Sequence, residues 1–148
     1  MNHKSHAGPR TPAKSVLIVE DNPLNMKLFS AMVAAEGYRV LQAQDGPSGL
    51  DMAQRLRPDL IIMDIQLPGV SGLDVTRTLK ADDSTRSIPI IATSAFALRG
   101  DTDTIMAAGC DGFMAKPIAI TVFLDLIETL IATSDEQRSP APDPRAQV

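Results

Sequence analysis

The chain has 148 residues, of which 44% are hydrophobic, so it is long and apolar enough for one domain with its own core. Its net charge of -4 and its aromatic content of 3% argue against a nucleic-acid surface, which needs basic and stacking side chains. A single cysteine excludes an intrachain disulfide, and no apolar run is long enough for a membrane span or a secretory signal. These properties favour a cytoplasmic protein without membrane insertion.

Apolar segments of strand length alternate with segments of helical periodicity between residues 14 and 133. The predicted strands cover residues 15–20, 39–43, 59–63, 88–93 and 112–115. The predicted helices cover residues 23–36, 47–56, 71–80, 101–108 and 118–131. The apolar faces that we expect for the first and the last of these helices are Leu24, Leu28 and Met32, and Val122, Leu126 and Leu130. The alternation predicts an α/β sandwich around a parallel sheet.

The two ends of the chain differ in composition from this region. Residues 1–13 are polar and contain two prolines, and residues 134–148 end in a stretch with three prolines. Because proline interrupts helices and polar segments bury little surface, we expect a flexible tail on each side of a domain spanning residues 14–133.

Polar side chains follow four of the five predicted strands. Glu20 and Asp21 follow the first strand, Asp64 the third and Lys116 the fifth, while Ser94 ends the fourth. In open α/β sheets, ligands bind beyond the carboxyl ends of the strands. The sequence therefore predicts that three carboxylates, a hydroxyl and an ammonium group meet at one edge of the sheet.

This set of groups points to phosphoryl transfer with a magnesium ion. Three clustered carboxylates repel one another unless a cation neutralises them, and oxygen ligands suit Mg²⁺. Asp64 stands alone at its strand end and is the expected nucleophile, while Glu20 and Asp21 form a metal-holding pair. Lys116 and Ser94 are expected to contact the phosphoryl oxygens.

The segments VLIVEDNPLN, PDLIIMDIQLPGVSGLDV, IPIIATSAFALRGD and AAGCDGFMAKPI resemble the receiver domain of two-component response regulators. The resemblance covers residues 14 to about 133, and within the family it is strongest to the single-domain DivK-type regulators. It implies a flavodoxin-like (βα)5 three-layer fold with strand order 2-1-3-4-5. It also implies that Asp64 is the phosphoacceptor, that Ser94 is the switch hydroxyl, and that the backbone carbonyl of Gln66 completes the Mg²⁺ site beside Glu20, Asp21 and Asp64. A cis bond between Lys116 and Pro117 is a further implication.

The resemblance extends to partners and to the residues around the site. The donor would be a histidine kinase or a histidine phosphotransfer protein, and the chain would be a phosphoacceptor rather than an enzyme. Because the chain ends soon after the fifth helix, the expected output is protein binding through helix 4, strand 5 and helix 5, roughly residues 98–131, by a monomer or weak dimer. Phe113 is either the aromatic residue that turns inward on activation or an ordinary core residue. The side chains of Gln66 and Phe96 are expected to restrict access of water and so to lengthen the life of the phosphorylated form.

Two other protein classes share parts of this pattern. A phosphatase of the haloacid dehalogenase type also uses an aspartate after a strand, but it needs a second aspartate at the position of Gln66. A flavodoxin-like flavin binder needs a phosphate-binding loop after the first strand, where Glu20 and Asp21 would repel a phosphate. Both alternatives are therefore disfavoured.

Overall fold

The computed structural model describes residues 13–95 and 99–138, in which parallel strands form one sheet with helices on both sides. The strand order β2-β1-β3-β4-β5 confirms the expected order. The strands are β1 Ser15–Val19, β2 Arg39–Ala43, β3 Leu60–Asp64, β4 Ile90–Ser94 and β5 Gly112–Ala115. The helices of the described residues are α1 Pro23–Ala35, α2 Gly46–Leu56, α3 Gly72–Ala81, α4 Arg99–Ala107 and α5 Ile120–Arg138. None of these helices has the length and apolar character needed to cross a membrane.

Alternate residues of each strand face opposite sides of the sheet, and each side is covered by its own helices. Leu17 and Val19 of β1 pack with residues of α2, α3 and α4. Val16 and Ile18 of the same strand pack with residues of α1 and α5. Both faces of the sheet are covered, which explains why its central strands are apolar except near their ends. The three-layer sandwich predicted from the sequence is confirmed.

The buried faces of α1 and α5 differ from the predicted ones. On α1 the buried residues are Met26, Phe29 and Val33, whereas Leu24 and Leu28 are 64% and 52% exposed. Met32 is partly buried against the same core, so that the prediction holds for Met32 and fails for Leu24 and Leu28. This helix has apolar residues on two faces, so that periodicity alone did not select the inner one.

On α5, Val122 is 56% exposed and Phe123 is fully buried. Leu126 and Leu130 are partly buried against the same core, so that the prediction holds for them and fails for Val122. The Phe123 ring lies 5.6 Å from that of Phe29, centroid to centroid, so that an aromatic contact joins the inner faces of the two helices.

Helix α5 is longer than predicted and continues to Arg138. The last turns contain no glycine or proline, and the side chain of Ser134 is buried. Asp135 also forms an ion pair with Lys14, with Lys14 Nζ 2.9 Å from Asp135 Oδ2. The start of the domain is thus joined to a part of the helix that lies beyond the predicted boundary at residue 133.

Candidate functional site

Three carboxylates meet at the carboxyl end of the sheet. Glu20 follows β1 directly, Asp64 ends β3, and the two strands are neighbours with Val19 paired to Met63. One carboxylate oxygen from each of Glu20, Asp21 and Asp64 lies within 4.8 Å of the others. Glu20 and Asp64 are buried, whereas Asp21 is exposed. The predicted acidic cluster is therefore formed by the fold, with one member open to solvent.

The loop after β1 is held in place by the start of α1. The Asn22 backbone N–H donates to Glu20 Oε2 at 3.1 Å, and Asn22 Oδ1 accepts from the Asn25 N–H at 2.9 Å as the helix N-cap. Pro23 occupies the first turn, where its missing N–H costs nothing. Asn22 was not among the predicted site residues, although an asparagine before a proline is typical of a helix start.

Lys116 is the cation of the cluster. Its Nζ lies 3.1 Å from Glu20 Oε1 and 3.4 Å from Asp64 Oδ2, and its side chain is only 17% exposed. The Lys116 backbone N–H donates to the Ser94 carbonyl at 2.8 Å, which joins the end of β5 to the end of β4. The peptide bond between Lys116 and Pro117 is cis, as expected.

The balance of charge in the cluster is negative. Burial raises the pKa of Glu20, and the charge of Asp64 raises it further. The hydrogen bond from Asn22 and the ammonium group of Lys116 act in the opposite direction. Three carboxylates against one ammonium group leave an excess of two negative charges, which a divalent cation with a preference for oxygen ligands would neutralise.

Gln66 and Ser94 both lie next to Asp64, Gln66 in the loop after β3 and Ser94 at the end of the neighbouring strand. The Gln66 backbone N–H donates to Asp64 Oδ1 at 2.9 Å, and Gln66 Oε1 accepts from the Ala95 backbone N–H at 2.9 Å. Ser94 ends β4, next to β3 in the sheet, and is buried. The backbone donor at Ala95 has no signature in the sequence and was not predicted.

The first turn of α3 packs on the backbone of Asp64. Ser71 is the N-cap of this helix, as predicted, and its Oγ accepts from the Leu73 N–H at 3.0 Å. The Gly72 N–H donates to the Ile65 carbonyl at 3.1 Å, which brings the α-carbon of Gly72 against Asp64. Gly72 is a further residue of the site that was not predicted from the sequence.

The two phenylalanines differ in what the structure shows. Phe113 of β5 is partly buried, pairs with Ala92 of β4 and packs on the core beneath α2, α3 and α4. Both of its predicted roles, core residue and inward-turning switch, are compatible with this position. Phe96 lies outside the described residues.

A cavity of about 320 Å³ opens beside the acidic pair. It lies between the start of α1 and the end of β2, and apart from Glu20 and Asp21 it is lined by Pro23, Met26, Lys27, Gln42 and Gln44. The cavity leaves room for a side chain of another molecule next to the carboxylates.

The family model of the response regulator receiver domain matches residues 16–128. The chain belongs to the receiver domain family. Receiver domains are phosphoacceptors of two-component signalling, in which a histidine kinase is the partner, and they are not enzymes acting on a released substrate. The match begins within β1, ends within α5 and includes every strand and helix between them.

Individual relatives agree with this assignment. The chain is 51% identical over 118 residues to the polar-differentiation response regulator DivK of Brucella anthropi, which is 80% of this chain and 96% of that protein. It is 49% identical over 118 residues to DivK of Brucella ovis, with the same coverage.

Two solved structures share the fold of this receiver domain. The receiver domain of a sensor histidine kinase from Pseudomonas aeruginosa PAO1 has a magnesium ion in its active site cleft. It superposes with a TM-score of 0.76 at 36% identity, covering 82% of this chain and 99% of that one. A signal receiver domain from Vibrio parahaemolyticus superposes with a TM-score of 0.82 at 23% identity, covering 89% of this chain and all of the other, and shows the fold alone.

Proposed function

We propose that Asp64 accepts the phosphoryl group in this receiver domain. The observation that supports this choice is the position of Asp64 between the other charged groups. One of its oxygens accepts from the Gln66 N–H at 2.9 Å, and the other lies 3.4 Å from Lys116 Nζ. Glu20 has a similar pair of contacts, with the Asn22 N–H and Lys116, but it follows β1, which is not next to β4 and Ser94 in the sheet. Asp64 ends β3, between these two strands, and Asp21 is exposed.

The residues of the site also suit a magnesium ion. We propose that Glu20, Asp21, Asp64 and the backbone carbonyl of Gln66 hold it, because all four offer oxygen atoms and the three carboxylates already cluster. When bound, the ion neutralises negative charge on the carboxylates and on the transferred group. The cavity beside Glu20 and Asp21 leaves the exposed side of the cluster accessible.

In the proposed reaction, a carboxylate oxygen of Asp64 attacks the phosphorus of a phosphohistidine on the donor. A P–O bond forms, the P–N bond breaks, and the bonding electrons return to the donor imidazole. Lys116 is placed to exchange its contact with the Asp64 carboxylate for one with a phosphoryl oxygen. Ser94, at the end of the neighbouring strand, is placed to donate its hydroxyl to the same group.

The donor, a histidine kinase or a histidine phosphotransfer protein, is proposed to dock on α1. Leu24 and Leu28 are exposed on this helix, which begins two residues after Asp21. Exposed leucines one helical turn apart offer an apolar stripe to a helix of the donor, next to the opening of the cavity. A donor bound there would have its histidine within reach of the site.

The output is proposed to leave through α4, β5 and α5, in the cytoplasm and from a monomer or weak dimer. Met106 on α4 and Ile120 and Val122 on α5 are exposed apolar side chains of this face. Ser94 and Lys116 link the phosphorylation site to this face, because the Lys116 N–H donates to the Ser94 carbonyl and Lys116 lies directly after β5, in the connection to α5. A change in contacts at the phosphoryl group would therefore alter the surface that a partner protein binds.

The test is phosphorylation of the wild type and Asp64→Asn with acetyl phosphate and Mg²⁺, followed by intact mass. The wild type should gain the mass of one phosphoryl group and Asp64→Asn should not. Asp83→Asn, at an exposed position far along the chain from the site, is the matched control and should behave as the wild type. Equal phosphorylation of wild type and Asp64→Asn would refute the assignment of Asp64.

A further inference from the structure

Gln66 connects the ends of two neighbouring strands through two different groups. Its backbone N–H donates to Asp64 Oδ1, and its side-chain Oε1 accepts from the backbone N–H of Ala95, each at 2.9 Å. Asp64 ends β3, and Ala95 comes directly after β4. A single residue thus contacts both the proposed acceptor and the first residue of the connection from β4 to α4.

The side-chain oxygen of Gln66 takes the place of a backbone carbonyl that would accept from Ala95 in a regular parallel sheet. In the ladder between β3 and β4, the Ile65 N–H donates to the Thr93 carbonyl at 3.0 Å. The parallel pattern would next pair the Ala95 N–H with the Ile65 carbonyl. That carbonyl instead accepts from the Gly72 N–H at 3.1 Å, because α3 begins there. The Ala95 N–H is consequently left to a side chain.

We propose that the Gln66 side chain caps the Ala95 N–H in the resting protein and is displaced by a phosphoryl group on Asp64. This inference rests on the proposed role of Asp64. A phosphoryl oxygen carries negative charge, and a hydrogen bond to a charged acceptor is about twice as strong as one to a neutral amide. Gln66 is exposed, so that water can form hydrogen bonds with its amide group as soon as it is released.

This displacement gives Gln66 a role in setting the balance between the unphosphorylated and the phosphorylated state. While Gln66 holds the Ala95 N–H, the incoming group has to displace it, which lowers the affinity of the site for a phosphoryl group. After displacement, the link from the β3–α3 loop to Ala95 is broken. Since Ala95 follows Ser94 directly, this release acts on the connection that leads into α4.

The test uses Gln66→Met, which keeps the length of the side chain and the backbone carbonyl but has no strong acceptor. Amide hydrogen exchange of Ala95 by NMR reports the cap, and titration with beryllofluoride and Mg²⁺ reports the affinity for a phosphoryl mimic. We expect faster exchange at Ala95 in resting Gln66→Met. We also expect beryllofluoride to bind about two- to tenfold more tightly, the worth of one neutral hydrogen bond. Gln66→Glu, with an acceptor at the same reach, should restore the slow exchange.

Gln54→Met on α2 is the matched control, because Gln54 is exposed and distant from the acidic cluster in the fold. It should leave both readouts unchanged. If Gln66→Met and the wild type have the same amide exchange at Ala95 and the same beryllofluoride affinity, the proposal that Gln66 caps Ala95 is wrong. A wild type that does not respond to beryllofluoride at all would instead overturn the proposed function. The two failures are therefore distinguishable.

Discussion

The α-carbon of Gly72 lies so close to the backbone of Asp64 that a methyl group on it would overlap the Asp64 carbonyl oxygen. The same methyl group would lie 2.9 Å from the Asp64 carbonyl carbon and 2.9 Å from the Ile65 α-carbon. All three atoms belong to the backbone, so that none can turn aside as a flexible side chain would. The start of α3 therefore fixes the backbone of the proposed acceptor, and only glycine permits this approach.

Gly72→Ala is expected to destabilise the protein by about 3 kcal/mol or more, the upper part of the range for overpacked sites. Gly69→Ala is the informative comparison, because Gly69 has a φ of +77° and nothing within 4 Å of an added methyl group. That variant should lose only about 1–2 kcal/mol from its left-handed backbone. Urea denaturation measures both, and a larger loss for Gly69→Ala than for Gly72→Ala would contradict the packing argument.

Lys116 is expected to compete with a metal ion for the same carboxylates. Lys116→Met removes the ammonium group near Glu20 and Asp64, so the variant without metal should lose about 1–3 kcal/mol of unfolding free energy. Its affinity for Mg²⁺ should rise about fivefold, since charges near 4 Å interact by about 1 kcal/mol even in a water-like medium. Calorimetric titration with Mg²⁺ measures this effect. Lys27→Met, at an exposed lysine that lines the cavity, is the control for a general loss of positive charge.

A weaker rather than stronger affinity of Lys116→Met for Mg²⁺ would show that the lysine organises the carboxylates instead of competing for them. Beryllofluoride binding separates the two roles further. Because Lys116 is placed to contact a phosphoryl oxygen, Lys116→Met should bind beryllofluoride more weakly even at saturating Mg²⁺.

The arrangement of strand ends could be predicted from the sequence because each relevant strand is an apolar run that stops at a charged or hydroxyl residue. Once the sheet is parallel, its geometry alone brings Glu20, Asp64, Ser94 and Lys116 to one edge. The predicted strand order and the cis bond before Pro117 came from family resemblance, and the structure agrees with both.

What the sequence did not predict falls into two physical kinds. The inner face of α1 was assigned to Leu24, Leu28 and Met32, of which only Met32 packs on the core, because amphipathic periodicity is ambiguous on a helix with apolar residues on two sides. The roles of Gly72 and Ala95 were missed for another reason. They act through an α-carbon and a backbone N–H, and the close approach of backbone groups depends on tertiary structure rather than on residue type.

Lys80 holds the end of α3 to the edge of the sheet far from the acidic cluster. Its Nζ donates to the carbonyls of Arg86 and Ile88 and to Asp111 Oδ2, at 3.1, 2.8 and 2.9 Å. Asp111 Oδ2 also accepts from the Ile90 N–H at 2.9 Å, so that one carboxylate joins α3 to the start of β4. We expect Lys80→Met to cost about 2 kcal/mol of unfolding free energy, since hydrogen bonds to charged groups contribute about 1.5–3 kcal/mol.

The control for Lys80 is Arg77→Met, which breaks an exposed ion pair with Asp74 on the same helix. Exposed pairs of this type contribute about 0–1 kcal/mol, so this variant should be close to the wild type. Equal losses in the two variants would mean that the hydrogen bonds from Lys80 to the Arg86 and Ile88 carbonyls add nothing to stability. Phosphorylation by acetyl phosphate should persist in Lys80→Met, because Lys80 makes no contact with the site.

The acidic cluster is expected to make both stability and Mg²⁺ affinity depend on pH. Burial and then the charge of Asp64 raise the pKa of Glu20 in the folded protein above its ordinary value of 4.5. Below that value Glu20 is protonated in both the folded and the unfolded chain, so that it does not lower the free energy of unfolding. As the pH rises through the raised pKa, the folded state must hold an unfavourable charge, so the metal-free protein loses stability.

Mg²⁺ reverses the sign of this dependence because it binds the carboxylate form. In the pH range from the ordinary value to the raised one, protons compete with the ion, so that the apparent affinity should fall by up to about tenfold for each pH unit of acidification. The increase in Tm on adding Mg²⁺ should therefore grow with pH. Glu20→Gln, which cannot titrate, should lose this pH dependence of Mg²⁺ affinity. Glu128→Gln, at an exposed position on α5, should keep it. A pH dependence of Mg²⁺ affinity that is the same in Glu20→Gln and the wild type would assign the titration to a different group.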